Sequence, residues 1–141
     1  MKFLLVIVFF GISALSCTKK SVEMASASNS IQGKWNILVD SFYTLVGAAN
    51  HLVVYSGMAG DYYDFSANGI LIIKEEWATT DTTTYKLVSS DQIIIPVFGL
   101  TGNGVLPVST IDSLSSHELI ITSPFSLTPG GLFWRKAILY R

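Results

Sequence analysis

The side chains able to do chemistry in this sequence are few and widely spaced. His51 and His117, the only two histidines, could ligate a metal or move a proton. Neither has acidic or cysteine neighbours at metal-ligand spacing, so both read as surface or turn residues. Glu75 and Glu76 offer the two carboxylates that general acid–base hydrolysis uses, but adjacent residues on a strand point to opposite faces. Asp61 and Asp64 are split in the same way. One of the two glutamates faces inward if its strand stays regular to Trp77, where it could meet a polar ligand group; the plainer reading is a place at the rim. Serines are abundant, yet no Gly-x-Ser-x-Gly nucleophile turn occurs. Gly99-Leu100-Thr101-Gly102-Asn103-Gly104 has the look of a phosphate cradle, but Pro107 and a β-rich segment follow where a helix should begin, and no lysine is placed to meet phosphate. It reads as a turn. The sequence therefore assigns no catalytic residue, no cofactor and no metal ligand, and a non-enzymatic protein is expected.

Cys17 is the only cysteine, so no disulfide can form within the chain. It ends an apolar run that starts after Met1-Lys2, is unbroken from Phe3 to Phe10, and continues to Ala14-Leu15-Ser16. The run falls short of the ~20 residues that cross a bilayer, and it reads as a secretory signal. Small Ser16 directly before Cys17 resembles the lipobox of bacterial lipoproteins. Ser16 matches the small position before the cut and Leu15 is tolerated, whereas Ala14 stands where the family most often has Leu. The resemblance implies a signal peptide over 1–16, cleavage before Cys17, a diacylglycerol on its thiol and a further acyl chain such as palmitate on the new amino terminus. Two or more chains make a stable membrane anchor where one is marginal. Residues 18–30 are small and polar and read as a tether. Thr18 stands where an aspartate would retain an enteric-type lipoprotein at the inner membrane, so the resemblance favours the outer membrane of a Gram-negative cell envelope. The bland alternative is an ordinary cysteine near a general signal-peptidase site.

The elements that must position everything else lie in residues 31–141. Half of the 141 residues are hydrophobic and only 13% are charged, which excludes a mainly disordered chain and leaves room for one domain. A formal net charge of -1 lacks the basic excess that holds nucleic acid. Short alternating segments bounded by Gly, Asn, Asp, Ser and Pro predict antiparallel strands. In Gly33 to Asp40, alternation puts Trp35, Ile37 and Val39 on one face and Lys34, Asn36 and Asp40 on the other. Asn68-Gly69 predicts a hairpin. Gln92 to Phe98 is apolar on both faces, with Pro96 marking an edge or a bulge. Within 41–60, Phe42 to Leu45 could extend the first strand, Gly47 to Asn50 a turn or short helical piece, and His51 to Tyr55 a further strand. Eight or nine sequential strands must hide one face and dispose of their edges, which predicts an all-β, antiparallel up-and-down barrel; a small β-sandwich is the alternative. Trp35, Phe65, Tyr85 and Phe133 alternate toward one face as its candidate interior.

Ile31-Gln32-Gly33-Lys34-Trp35 resembles the Gly-x-Trp opening of lipocalin-like domains. Tyr63-Asp64-Phe65-Ser66-Ala67-Asn68-Gly69 is similar to a hairpin of lipocalin-like lipoproteins, and Ile138-Leu139-Tyr140-Arg141 to their closing strand. The resemblance implies that Trp35 plugs the closed end of the barrel with Arg141 across its ring, Arg135 being the second candidate, by cation–π contact and donation to nearby carbonyls. It also implies a small apolar ligand in the barrel mouth. The rival expectation is a structural or protein-interaction module binding through 41–60 or 99–104. A cavity on the Trp35 face would favour the first, and a packed interior with exposed aromatic side chains on a flat surface the second.

Overall fold

A computed structural model describes residues 31–46, 49–75, 80–99, 106–128 and 131–141. Residues 1–30, with the expected signal peptide, Cys17 and the expected tether, lie outside them, as do Glu76, Trp77 and 100–105. The strands are β1 (Gly33–Val46), β2 (Ala49–Ser56), β3 (Tyr62–Phe65), β4 (Ile70–Lys74), β5 (Asp81–Thr84), β6 (Lys86–Leu87), β7 (Gln92–Ile94), β8 (Val108–Leu114), β9 (Glu118–Thr122), β10 (Ser126–Thr128) and β11 (Gly131–Tyr140).

Pairing runs β5-β4-β3-β1-β11-β9-β8-β7-β6. Only Tyr85 separates β5 from β6, so the run 81–87 bonds to β4 through its first part and to β7 through its second. The sheet thereby closes on itself. Counting that run as one stave gives an eight-stave antiparallel barrel in up-and-down order, and closure removes the edges a sandwich would leave. The hairpin at Asn68-Gly69 joins β3 to β4, with Gly69 at φ 79°, where a side chain would be strained.

β1 and β11 are longer than the barrel. β1 pairs with β3 over Gly33 to Asn36 and with β2 from Val39 onward. β11 pairs with β9 over Lys136 to Tyr140 and with β10 over Gly131 to Phe133. Their outer halves thus form, with β2 and β10, a four-stranded wing in the order β2-β1-β11-β10, at the end of the barrel opposite Ile31 and Arg141.

Two local expectations change. The β1–β11 register shifts between Ile37 and Val39, so a β-bulge reverses the alternation: Asp40, not Val39, turns inward and is fully buried. The strand expected through Phe98 stops at Ile94, and Pro96 opens a 3-10 turn, Pro96–Phe98. Proline lacks the N–H a ladder needs and has the φ a helical turn needs. Phe42 to Leu45 do continue β1, and the strand expected over His51 to Tyr55 is the middle of β2.

Candidate functional site

Barrel closure stacks three layers along the inward face. At the closed end, Trp35 is fully buried and donates from Nε1 to the Ile31 carbonyl at 2.8 Å. The Arg141 guanidinium lies 3.7 Å from the Trp35 ring centroid and donates to the Gln32 carbonyl at 3.1 Å. Phe65 is buried beside it in the core, in edge contact with half-buried Tyr85 at 5.1 Å. The Tyr85 hydroxyl donates to the Ser66 carbonyl at 2.7 Å.

Above this apolar floor lies a layer of charge. Arg135, from β11, donates through Nη2 to Asp40 Oδ2 at 2.7 Å, to Glu75 Oε1 at 2.6 Å and to the Tyr63 hydroxyl at 2.7 Å. Its Nε donates to Asp40 Oδ1 at 3.0 Å. Tyr63 donates to Asp40 Oδ2 at 2.5 Å and lies 3.0 Å from Glu75 Oε1. Phe42 and Phe98 flank the guanidinium, 4.4 and 4.7 Å from their ring centroids. Burial pushes the Tyr63 hydroxyl well above its ordinary range; Arg135 opposes the rise, and the carboxylates of Asp40 and Glu75 add to it. Burial likewise pushes Glu75 up to about 7, with Arg135 opposing and Asp40 reinforcing. Two carboxylates facing one guanidinium are balanced when Glu75 holds a proton. The cluster ties β1, β3, β11 and the end of β4 together. Its hydrogen bonds make it a buried polar cross-link between these strands.

The third layer is the wing. Its inner face carries Val53, Phe42 and Arg135 in one row and His51, Thr44, Phe133 and Ser126 in the next. Phe133 is half-buried there, beyond the charged layer rather than in the barrel floor. The outer face is largely apolar toward its free end and turns polar toward the barrel, where Val54, Ser41 and Lys136 share a row. One row runs Leu52, Tyr43, Trp134, with Phe125 stacked on Trp134 at 6.2 Å; the next runs Asn50, Leu45, Leu132, Leu127. Phe125 is 66% exposed, Leu127 84%, Leu52 60% and Val54 55%.

Of the residues singled out by sequence, Trp35 and Arg141 come together, Phe65 and Tyr85 touch, and His51 and His117 stay apart and exposed. Arg135 serves the charged layer rather than Trp35. Asp61 is buried, and its carboxylate accepts from the Tyr55 hydroxyl and from the Met58 amide at 2.8 Å, which fixes the β2–β3 corner. Asp40 and Tyr63 escaped sequence reasoning. The available signal was Arg135 itself, a charge on the same parity as Phe133, Ala137 and Leu139, which burial obliges to find partners. Among the described residues no group of three His, Cys, Asp or Glu side chains converges as a metal site. No protein-family model matches the chain, and no curated protein is significantly similar to it.

Proposed function

We propose that the protein is a non-enzymatic interaction module of the bacterial cell envelope, lipid-anchored through Cys17, with the barrel as scaffold and the wing as docking surface. The observation that carries this reading is the outer face of the wing, where Leu52 and Val54 of β2 and Phe125 and Leu127 at β10 stand open to solvent on either side of half-buried Tyr43, Leu45, Leu132 and Trp134. A contiguous exposed patch of this kind marks a surface that another molecule covers. The barrel interior supports the same reading. Trp35, Tyr63, Leu71, Ile93, Ile95, Phe98, Leu119, Ile121 and Leu139 have no accessible surface, so no space wide enough for a small molecule adjoins them. A carrier would need such space on the Trp35 face, and the ion-paired Arg135 caps that face from above.

The test is a photo-activated cross-linking residue at Leu127 of the full chain in intact cells, with Val88, exposed near the closed end, as control. A protein adduct from position 127 and none from 88 is the expected result. Silence at 127, together with a retained apolar molecule of a few hundred daltons in native mass spectra of the exported chain, would overturn the reading in favour of a carrier.

A further inference from the structure

We propose that the open edge of the wing binds a second copy of this chain, β2 pairing antiparallel with its counterpart about a two-fold axis at Val53. The proposal rests on the docking reading above and names the neighbour of one wing edge. Exposed sheet edges usually carry lysine, proline or a bulge, or are very short, because unpaired backbone groups recruit other strands. The edge strand β10 follows that rule, with three residues. β2 does not: its eight residues, Ala49-Asn50-His51-Leu52-Val53-Val54-Tyr55-Ser56, include no proline and no Asp, Glu, Lys or Arg, and among the described strands it pairs only with β1.

Three observations choose the occupant. First, Leu52 and Val54 on the outer face and Val53 on the inner face are all more than half exposed. A partner lying on one face would leave the other uncovered, whereas a strand alongside the edge meets both. Second, the strand is self-complementary about Val53. An antiparallel copy centred there sets Leu52 against Val54, His51 against Tyr55 and Asn50 against Ser56, so apolar meets apolar and polar meets polar on each face, as a two-fold interface requires. Third, residues 41–60 contain no charged side chain, so two copies approach without repulsion and an ionic partner finds nothing to pair with. A bilayer is the wrong neighbour for this edge, because its backbone groups would stay unbonded in hydrocarbon.

The strand edge is ~27 Å long at about 3.4 Å per residue and ~10 Å thick. In plan, two such edges cover about 540 Å², and flanking side chains add to this, which is the size of a weak interface. Confining both copies to one membrane through Cys17 raises their effective concentration. The paired wings form one eight-stranded sheet that ends on the short β10 strands, so association stops at two.

The test uses the full chain in its native membrane. Val53→Cys places a thiol opposite its own copy, with Cβ atoms about 4.5–5.5 Å apart and within disulfide reach. Ala49→Cys separates the two thiols by ~27 Å, eight residues along the strand. Wild type, whose one cysteine is Cys17, sets the background. On non-reducing gels the Val53→Cys chain should give on the order of tenfold more dimer than Ala49→Cys, and Val53→Lys should convert the detergent-extracted protein from dimer to monomer in sedimentation. A monomeric wild-type chain with no Val53→Cys dimer overturns the proposal. So does equal bridging from both positions, or a disulfide adduct whose mass is that of another protein. In each of these cases a surviving adduct at Leu127 leaves the docking reading standing, and its loss removes that reading separately.

Discussion

The charge of Glu75 depends on the fold. Burial raises its carboxyl from 4.5 to about 7, against the pull of Arg135. Between those values the folded chain holds a proton that the unfolded chain has released. Stability from this group is therefore complete below the unfolded value and is lost as pH rises through about 7. Urea midpoints should fall between about pH 5 and about pH 8. Glu75→Gln keeps an oxygen for Arg135 to donate to while removing the titration, and should flatten that fall. An unchanged slope in the variant would place the titrating group elsewhere. Charge in this layer also explains why an interior acid is tolerated at all: the guanidinium of Arg135 and the hydroxyl of Tyr63 bond to it from within the barrel, so ionisation shifts the balance of the network without leaving an unpartnered ion.

Among the elements, the β2–β3 corner decides how the wing meets the barrel. Gly57 donates to the Leu38 carbonyl at 3.1 Å, at the bulge in β1. A Cβ at Gly57 would lie 2.0 Å from the Ile37 carbonyl oxygen, an overlap with backbone that side-chain rotation cannot relieve. Gly57→Ala should thus cost about 1–3 kcal/mol or more through forced displacement of the corner, read as a lower urea midpoint; a midpoint equal to wild type would mean the corner is free to move. The same corner shows what the sequence made legible. Trp35 inside, the Asn68-Gly69 hairpin and the sequential meander follow from local alternation and turn chemistry, which act over a few residues. The bulge that turns Asp40 inward has no local signature in Ile37-Leu38-Val39. The charged layer was hidden for a related reason, since residues 40, 63, 75 and 135 become neighbours only when the barrel closes. The wing depends on the unequal lengths of β1 and its neighbours, a difference that appears only once the partners are known.

For the molecule as a whole, the two ends have opposite tasks. The chain enters the barrel at Ile31 beside Trp35 and Arg141, whereas the wing begins where β1 outruns β3. β1 spans ~46 Å at about 3.3 Å per residue, and the 14 residues from 17 to 30 reach at most ~50 Å at about 3.5 Å each. A fully extended tether thus matches the length of β1, and a lipid on Cys17 would leave the wing free to face away from the membrane. Among the described residues no helix is long and apolar enough to cross a membrane, and the barrel core is filled by its own side chains. Attachment and folding should accordingly separate. Cys17→Ser is expected to move the protein from the membrane to the soluble fraction while leaving the body as resistant to protease as the wild type. Fractionation followed by a high-salt wash reads the first effect, and limited proteolysis of the released protein the second. Retention on washed membranes would mean that the apolar wing face, not a lipid, is the anchor. Release of a protease-sensitive chain would mean that the barrel depends on the membrane for its stability, against the packing of its interior.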